Sequence, residues 1–180
     1  MTRGFLQARA ASADDLPSLL HLEVQAFGAD AYNEEQLRAL IQAASGAGAS
    51  STDVQVAVED GAVIAFAVGQ VLSPQAFCAR YGIDTIKLAA YVGDVPRVGY
   101  VKSMAVEYRS RRGGVGRMLT LARDRFFLAE SVAELLLWQM PRDSIEGFHI
   151  ALGYRRLALT GNVRYADGGA ATLWHRSLVR

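Results

Sequence analysis

The sequence predicts an α/β fold in which helices pack on a mixed β-sheet, and three observations carry that prediction. Short apolar or alternating runs take turns with stretches of helical periodicity along the chain. Asp60-Gly61 is a tight turn between the alternating Val54–Val58 and the run Val63–Leu72, which predicts an antiparallel hairpin. Leu135–Met140 is an apolar run stopped by Pro141, the pattern of a buried strand.

The elements follow in order. Phe5–Ala10 alternates in part and reads as a first strand. Ser12 with Asp14 and Asp15 marks a helix start, and Leu19, Leu20, Val24 and Phe27 recur at helical spacing until Gly28 ends the run. Asn33 is the cap of a second helix carrying Leu37, Leu40 and Ile41, and the Gly/Ala/Ser-rich Ala44–Thr52 is a loop. After the hairpin, Ser73–Pro96 mixes prolines and glycines with apolar patches and predicts a short helix plus loop. Val98–Val106 is a long strand, and Val115–Glu130 is a helix with Met118, Leu119, Ala122 and Phe126 on one face. Asp143 caps a last helix, Ser144–Leu152, closed by Gly153, with Ile145, Phe148 and Leu152 toward the sheet and His149 at the margin of that face. Tyr154–Leu159 and Ala171–Leu178 are the closing strands.

Composition narrows the class. A chain of 180 residues suits one domain with one core, here expected over residues 1–180, and 51% hydrophobic with 21% charged residues excludes disorder. A formal net charge of +1 gives no global field toward nucleic acid or an anionic membrane. The single cysteine, Cys78, excludes an internal disulfide and fits a reducing compartment. The N-terminus MTRGFLQARA lacks the apolar run of a signal peptide, and no stretch reaches the length of a spanning helix, so the expected location is cytoplasmic.

The chemistry concentrates in Val101–Leu119, where a strand feeds an Arg/Gly loop and the loop feeds a helix. Gly113, Gly114 and Gly116 allow a sharp turn, and their N–H groups, backed by a helix N-terminus, suit a diphosphate. Arg111, Arg112 and Arg117 add positive charge. Taken alone, the same residues also fit a plain turn beside a solvated basic face. The spacing is neither GxxxxGK[ST] nor GxGxxG, which excludes a P-loop and a dinucleotide fold. The arginines of Arg109–Arg125 are not interleaved with aromatic residues, which argues against RNA.

Met104-Ala105-Val106 followed by Arg111-Arg112-Gly113-Gly114-Val115-Gly116 resembles the Arg/Gln-x-x-Gly-x-Gly/Ala signature of the GNAT N-acetyltransferases. Ile150-Ala151-Leu152-Gly153-Tyr154 resembles the family's Leu-Gly-Phe/Tyr at the end of the last helix, and the likeness in element order covers nearly the whole chain. The resemblance implies six or seven strands, about four helices, and acetyl transfer from acetyl-coenzyme A to an amine by direct attack. It implies that the Arg112–Gly116 amides, with Arg111 and Arg117, hold the pyrophosphate. Met104, Ala105 and Val106 would pair with the pantetheine arm, and an amide near Met104 would stabilise the oxyanion. No metal is implied. Expected partners are a small-molecule or peptide amine and a possible second copy of the chain, with no nucleic acid and no membrane. A chain that binds coenzyme A without catalysing transfer is the alternative.

Two departures from the family pattern matter. Where many members carry a tyrosine as general acid, His149 stands, either as a proton donor to the leaving thiolate or as a packed residue. Where histone-type members carry a glutamate base, Tyr100 stands, which leaves His21, Glu23, Asp94 and Glu107 as candidate bases by chemistry alone. Ser73–Val95 and the helix pair within Asp14–Ser45 are expected to shape the acceptor side.

Overall fold

The computed structural model describes residues 5–46, 51–139, 143–164 and 168–178. Among the described residues there are seven strands: β1 (Leu6–Ala10), β2 (Thr52–Glu59), β3 (Ala62–Leu72), β4 (Val98–Val106), β5 (Glu134–Gln139), β6 (Arg155–Arg156) and β7 (Thr172–Ser177). Six α-helices accompany them: α1 (Leu16–Phe27), α2 (Glu34–Ser45), α3 (Pro74–Tyr81), α4 (Thr85–Val92), α5 (Val115–Ala129) and α6 (Asp143–Ala151). The strands form one mixed sheet in the order β1-β2-β3-β4-β5-β7-β6. The chain divides into two compact units, residues 1–70 with 102–126, and residues 71–101 with 127–180.

In the first unit β1, β2 and β3 run antiparallel, and Asp60 and Gly61 turn the hairpin with φ of 50° and 84°. Two positive φ values in a row are what a type I′ hairpin requires. Asn33 caps α2 as the sequence predicts, its side chain accepting the Gln36 N–H. Leu19, Leu22, Leu37 and Ile41 of the two helices close on Val54, Val56, Phe66 and Val68 of the sheet. A separate cluster forms where Val115 and Leu119 of α5 meet Ala57, Ala65 and Ala67.

Two helix faces differ from the sequence expectation. On α1 the inward positions are Leu16, Leu19, Leu22 and Glu23, while Val24 is 53% exposed. One residue is a 100° step on a helix, so a carboxylate takes the place that hydrophobicity alone assigns to valine. On α5 the buried line is Val115, Leu119, Arg123 and Phe127; Leu119 is buried as expected, while Met118, Ala122 and Phe126 of the expected face are only half-buried. Arg123, 1% exposed, is therefore not part of a solvated arginine face; it lies in the field of buried Asp53.

In the second unit β4 pairs with β5 in parallel through Gly99, Tyr100 and Val101, β5 pairs antiparallel with β7, and β7 with β6. A Cβ on Gly99 would stand 2.5 Å from the Leu135 side chain and 2.9 Å from the Phe127 ring, so only glycine admits this close approach. The Ser73–Pro96 segment holds two helices rather than one, and they are core. Phe77, Cys78, Leu88 and Val92 pack with Tyr100, Leu136 and Leu173. The closing strands are shorter than predicted, because residues 157–164 continue through single contacts such as Leu157 N–H to Leu173 O at 2.8 Å. On α6 the buried residue among those described is His149, with Phe148 and Leu152 half-buried and Ile145 38% exposed, so the inward face is about one step round from the expected one. Met140, Pro141 and Arg142, where the sequence predicts the strand end and the approach to this helix, lie outside the described residues, as do 47–50 and 165–167.

Candidate functional site

β4 leads through a single turn at Tyr108–Ser110 into the Arg/Gly loop, and the loop opens α5 at Val115. Arg112 and Gly114 take φ of 64° and 87°, so the chain reverses hand twice within three residues before the helix begins. Gly114 is selected by that backbone angle, since a Cβ there would meet nothing within 4 Å, whereas a Cβ on Gly113 would press on Ser110 O at 3.3 Å. The Met118 N–H to Gly114 O bond, 3.0 Å, starts the helical ladder. The N–H groups ahead of it belong to the first turn, which has no intrahelical acceptor. Val115 and Leu119 seat this turn on the sheet, and Arg111, Arg112 and Arg117 stay exposed around it. Fixed N–H dipoles at a helix start with exposed arginines around them are an arrangement suited to an anion.

The ladder from β4 to β5 ends at Val101, so Met104, Ala105 and Val106 lie beyond it. Their side chains are spent on packing: Met104 and Val106 against Val115 and Leu119, Ala105 toward the α1/α2 core. What the strand has to offer a ligand here is main chain. Arg111 adds a detail that spacing does not reveal. Its Nε donates to Val106 O at 3.1 Å, and its guanidinium lies 5.5 Å from the centre of the Tyr108 ring. The Val106 carbonyl is therefore already engaged by Arg111.

On the other side of β4 stands Glu23, 1% exposed. Its Oε1 accepts the Tyr32 N–H at 3.3 Å, and its Oε2 accepts the Ser103 hydroxyl at 3.1 Å. Burial pushes this carboxyl up to about 7, against the opposing pull of the Tyr32 N–H, the Ser103 hydroxyl and the Lys102 charge. Lys102 Nζ in turn lies 5.0 Å from the centre of the Tyr32 ring. A proton-sharing carboxylate thus joins α1, the turn before α2, and β4.

No protein-family model matches the chain, and no curated protein matches it either. Solved structures do. The Ard1 protein of Thermoplasma volcanium superposes with a TM-score of 0.72 at 20% identity over 97% of this chain and 99% of that one. Arabidopsis thaliana NAA60, solved with a bisubstrate analogue, gives 0.73 at 14% identity over 96% and 98%. A GCN5-related N-acetyltransferase from Kribbella flavida gives 0.67 at 23% identity over 96% and 98%. The fold is that of the GNAT N-acetyltransferases.

Within that GNAT fold the remaining candidates sort by position. Tyr100 is 6% exposed and packs edge-on to Phe77 and Tyr81 with ring centres 5.5 Å from each, a core role. Asp94 is exposed. His21 and Glu107 line a shallow depression of about 350 Å³ with Pro17, Ser18, Leu22 and Ala62–Ile64. His149, 9% exposed, sits among the rings of Phe148, Tyr154 and Trp174, and its Nδ1 is hydrogen-bonded to Gln139 Oε1. An amide oxygen only accepts, so Nδ1 is the donor in this bond. Among the described residues no group of three His, Cys, Asp or Glu could hold a metal ion. Sequence reasoning put Glu23 among four equal candidates; the separating signal is its place one step from Val24 on α1.

Proposed function

We propose that the chain is an acetyl-coenzyme A-dependent N-acetyltransferase acting on a primary amine of a small molecule, an amino acid or a protein N-terminus. The observation that carries this reading is the Arg112–Gly114 turn opening α5, an anion cradle at the place the GNAT signature assigns to the pyrophosphate. Chains of this fold have been solved with coenzyme A, which supports the choice of co-substrate. In this reading the Arg112–Gly116 amides, with Arg111 and Arg117, hold the pyrophosphate. Met104 and Val106 pair with the pantetheine arm through the main chain.

The amine nitrogen attacks the thioester carbonyl carbon, and the oxyanion is held by a main-chain N–H near Met104. Aligned donors of that kind are worth roughly 10²–10³ in rate. The C–S bond then breaks and the thiolate takes a proton, with His149 standing at the position where the GNAT resemblance puts the general acid. The nitrogen's surplus proton leaves to solvent or to a carboxylate. No covalent enzyme intermediate forms.

The test is thermal. Acetyl-coenzyme A should raise the melting temperature, because a ligand that binds only the native state stabilises it by mass action. Replacing Gly114 and Gly116 together by leucine should abolish the shift. A full shift in that variant would place the cofactor elsewhere.

A further inference from the structure

We propose that Glu23 is a positioning residue for the transfer reaction, a clamp that holds the Tyr32 turn against Ser103 and Lys102 of β4. The proposal rests on the transferase reading, which assigns β4 beyond Val101 to the cofactor arm and the helix pair α1/α2 to the acceptor side.

Three observations support it. Glu23 binds both elements at once, one carboxylate oxygen to each, at 3.3 and 3.1 Å. Lys102 and the Tyr32 ring repeat the same link 5.0 Å apart, so the two elements are joined twice over a short span. The carboxylate is also a poor choice for stability, since its burial works against the charged form. A glutamine would fill this position and keep an acceptor there without that penalty, so the charge at Glu23 serves something other than folding.

The chemistry of the clamp depends on ionisation. As a carboxylate, Glu23 accepts from both donors and attracts Lys102. Once protonated it has a donor of its own, which forces Ser103 to turn its hydroxyl, and the attraction to Lys102 is lost. Lys102 faces it from β4 with a charge; Ser103 and the Tyr32 main chain face it with neutral groups. The ionised state is therefore the tied state, in which the Ser103–Val106 segment is held for the cofactor arm.

The experiment uses the full chain and acetyl-coenzyme A itself as probe, with wild type, Glu23→Gln and Glu23→Leu. Affinity is measured by calorimetry at about pH 6 and about pH 8, either side of the Glu23 titration. Glu23→Gln keeps the shape and never ionises, so it mimics the protonated state. At the higher pH wild type should bind about threefold to tenfold tighter than Glu23→Gln, and at the lower pH the two should agree within about twofold. Equal affinities at both pH values would overturn the clamp. The second readout is exchange of the Tyr32 amide, which Glu23→Leu should speed by about tenfold or more. Unchanged exchange overturns the proposal as well. If Glu23→Leu does not fold, Glu23→Gln carries the test alone. Failure of the wild type to bind acetyl-coenzyme A at either pH would remove the transferase reading itself, whereas binding with parallel curves removes only the role of Glu23.

Discussion

Glu23 shows how a single side chain can be read for its effect on stability as well as on function. Its carboxyl lies at about 7 in the folded protein against 4.5 as the ordinary value, and burial is the main cause. A raised acid binds its proton more tightly when folded, so its favourable contribution is complete below the unfolded value and fades as pH rises through the folded one. Above the folded value the ionised group should cost on the order of 3 kcal/mol. Glu23→Gln is therefore expected to raise the melting temperature at about pH 8 and to leave it nearly unchanged below about pH 4.5. Melting curves at both pH values test this, and a uniform shift at all pH values would contradict the assigned cause. Asp15 behaves with the opposite sign. The Arg9 guanidinium, with help from Ser12, holds it down at about 2, so its contribution is present at neutral pH and is lost only in strong acid.

At the scale of elements, α6 is the helix whose role is most open to test. His149 is its buried residue, and Gln139 of β5 fixes the Nδ1 proton. If Nε2 delivers the proton to the thiolate, His149→Ala should lower kcat by about 10²–10⁴, and His149→Tyr should restore much of it with KM for acetyl-coenzyme A nearly constant. A kcat within about twofold of wild type, alongside a lower melting temperature, would leave His149 a packing role only. The same helix marks where the sequence was legible. Elements with one strong local signal were read correctly: the Asp60-Gly61 hairpin, the Asn33 cap, the strand–loop–helix around Gly114. Faces were read less well. On α1, α5 and α6 the buried line is one step or more from the apolar one, because Glu23, Arg123 and His149 are drawn inward. Ser103 and Asp53, the partners of Glu23 and Arg123, lie far away in sequence, and Gln139 lies on a different element from His149. Hydrophobic periodicity carries no trace of a partner 80 residues distant, as Ser103 is from Glu23.

For the molecule as a whole, the GNAT signature was visible because the Arg/Gly loop is local in sequence, while the structure of Ser73–Pro96 was not. Its two helices are held by residues scattered from Tyr100 to Leu173. A segment that reads as a short helix plus loop is instead a pair of core helices in the second unit, and it encloses the chain's one thiol. Cys78 is 2% exposed, and burial raises its thiol above the ordinary range. It is thereby a native clock for breathing motions. A thiol-specific dye should react with the folded protein far more slowly than with the unfolded chain, where one equivalent per molecule should be taken up at once. The ratio of the two rates is the fraction of time the α3/α4 shell stands open. Dye uptake as fast in the native protein as in denaturant would mean that the shell is no barrier at all.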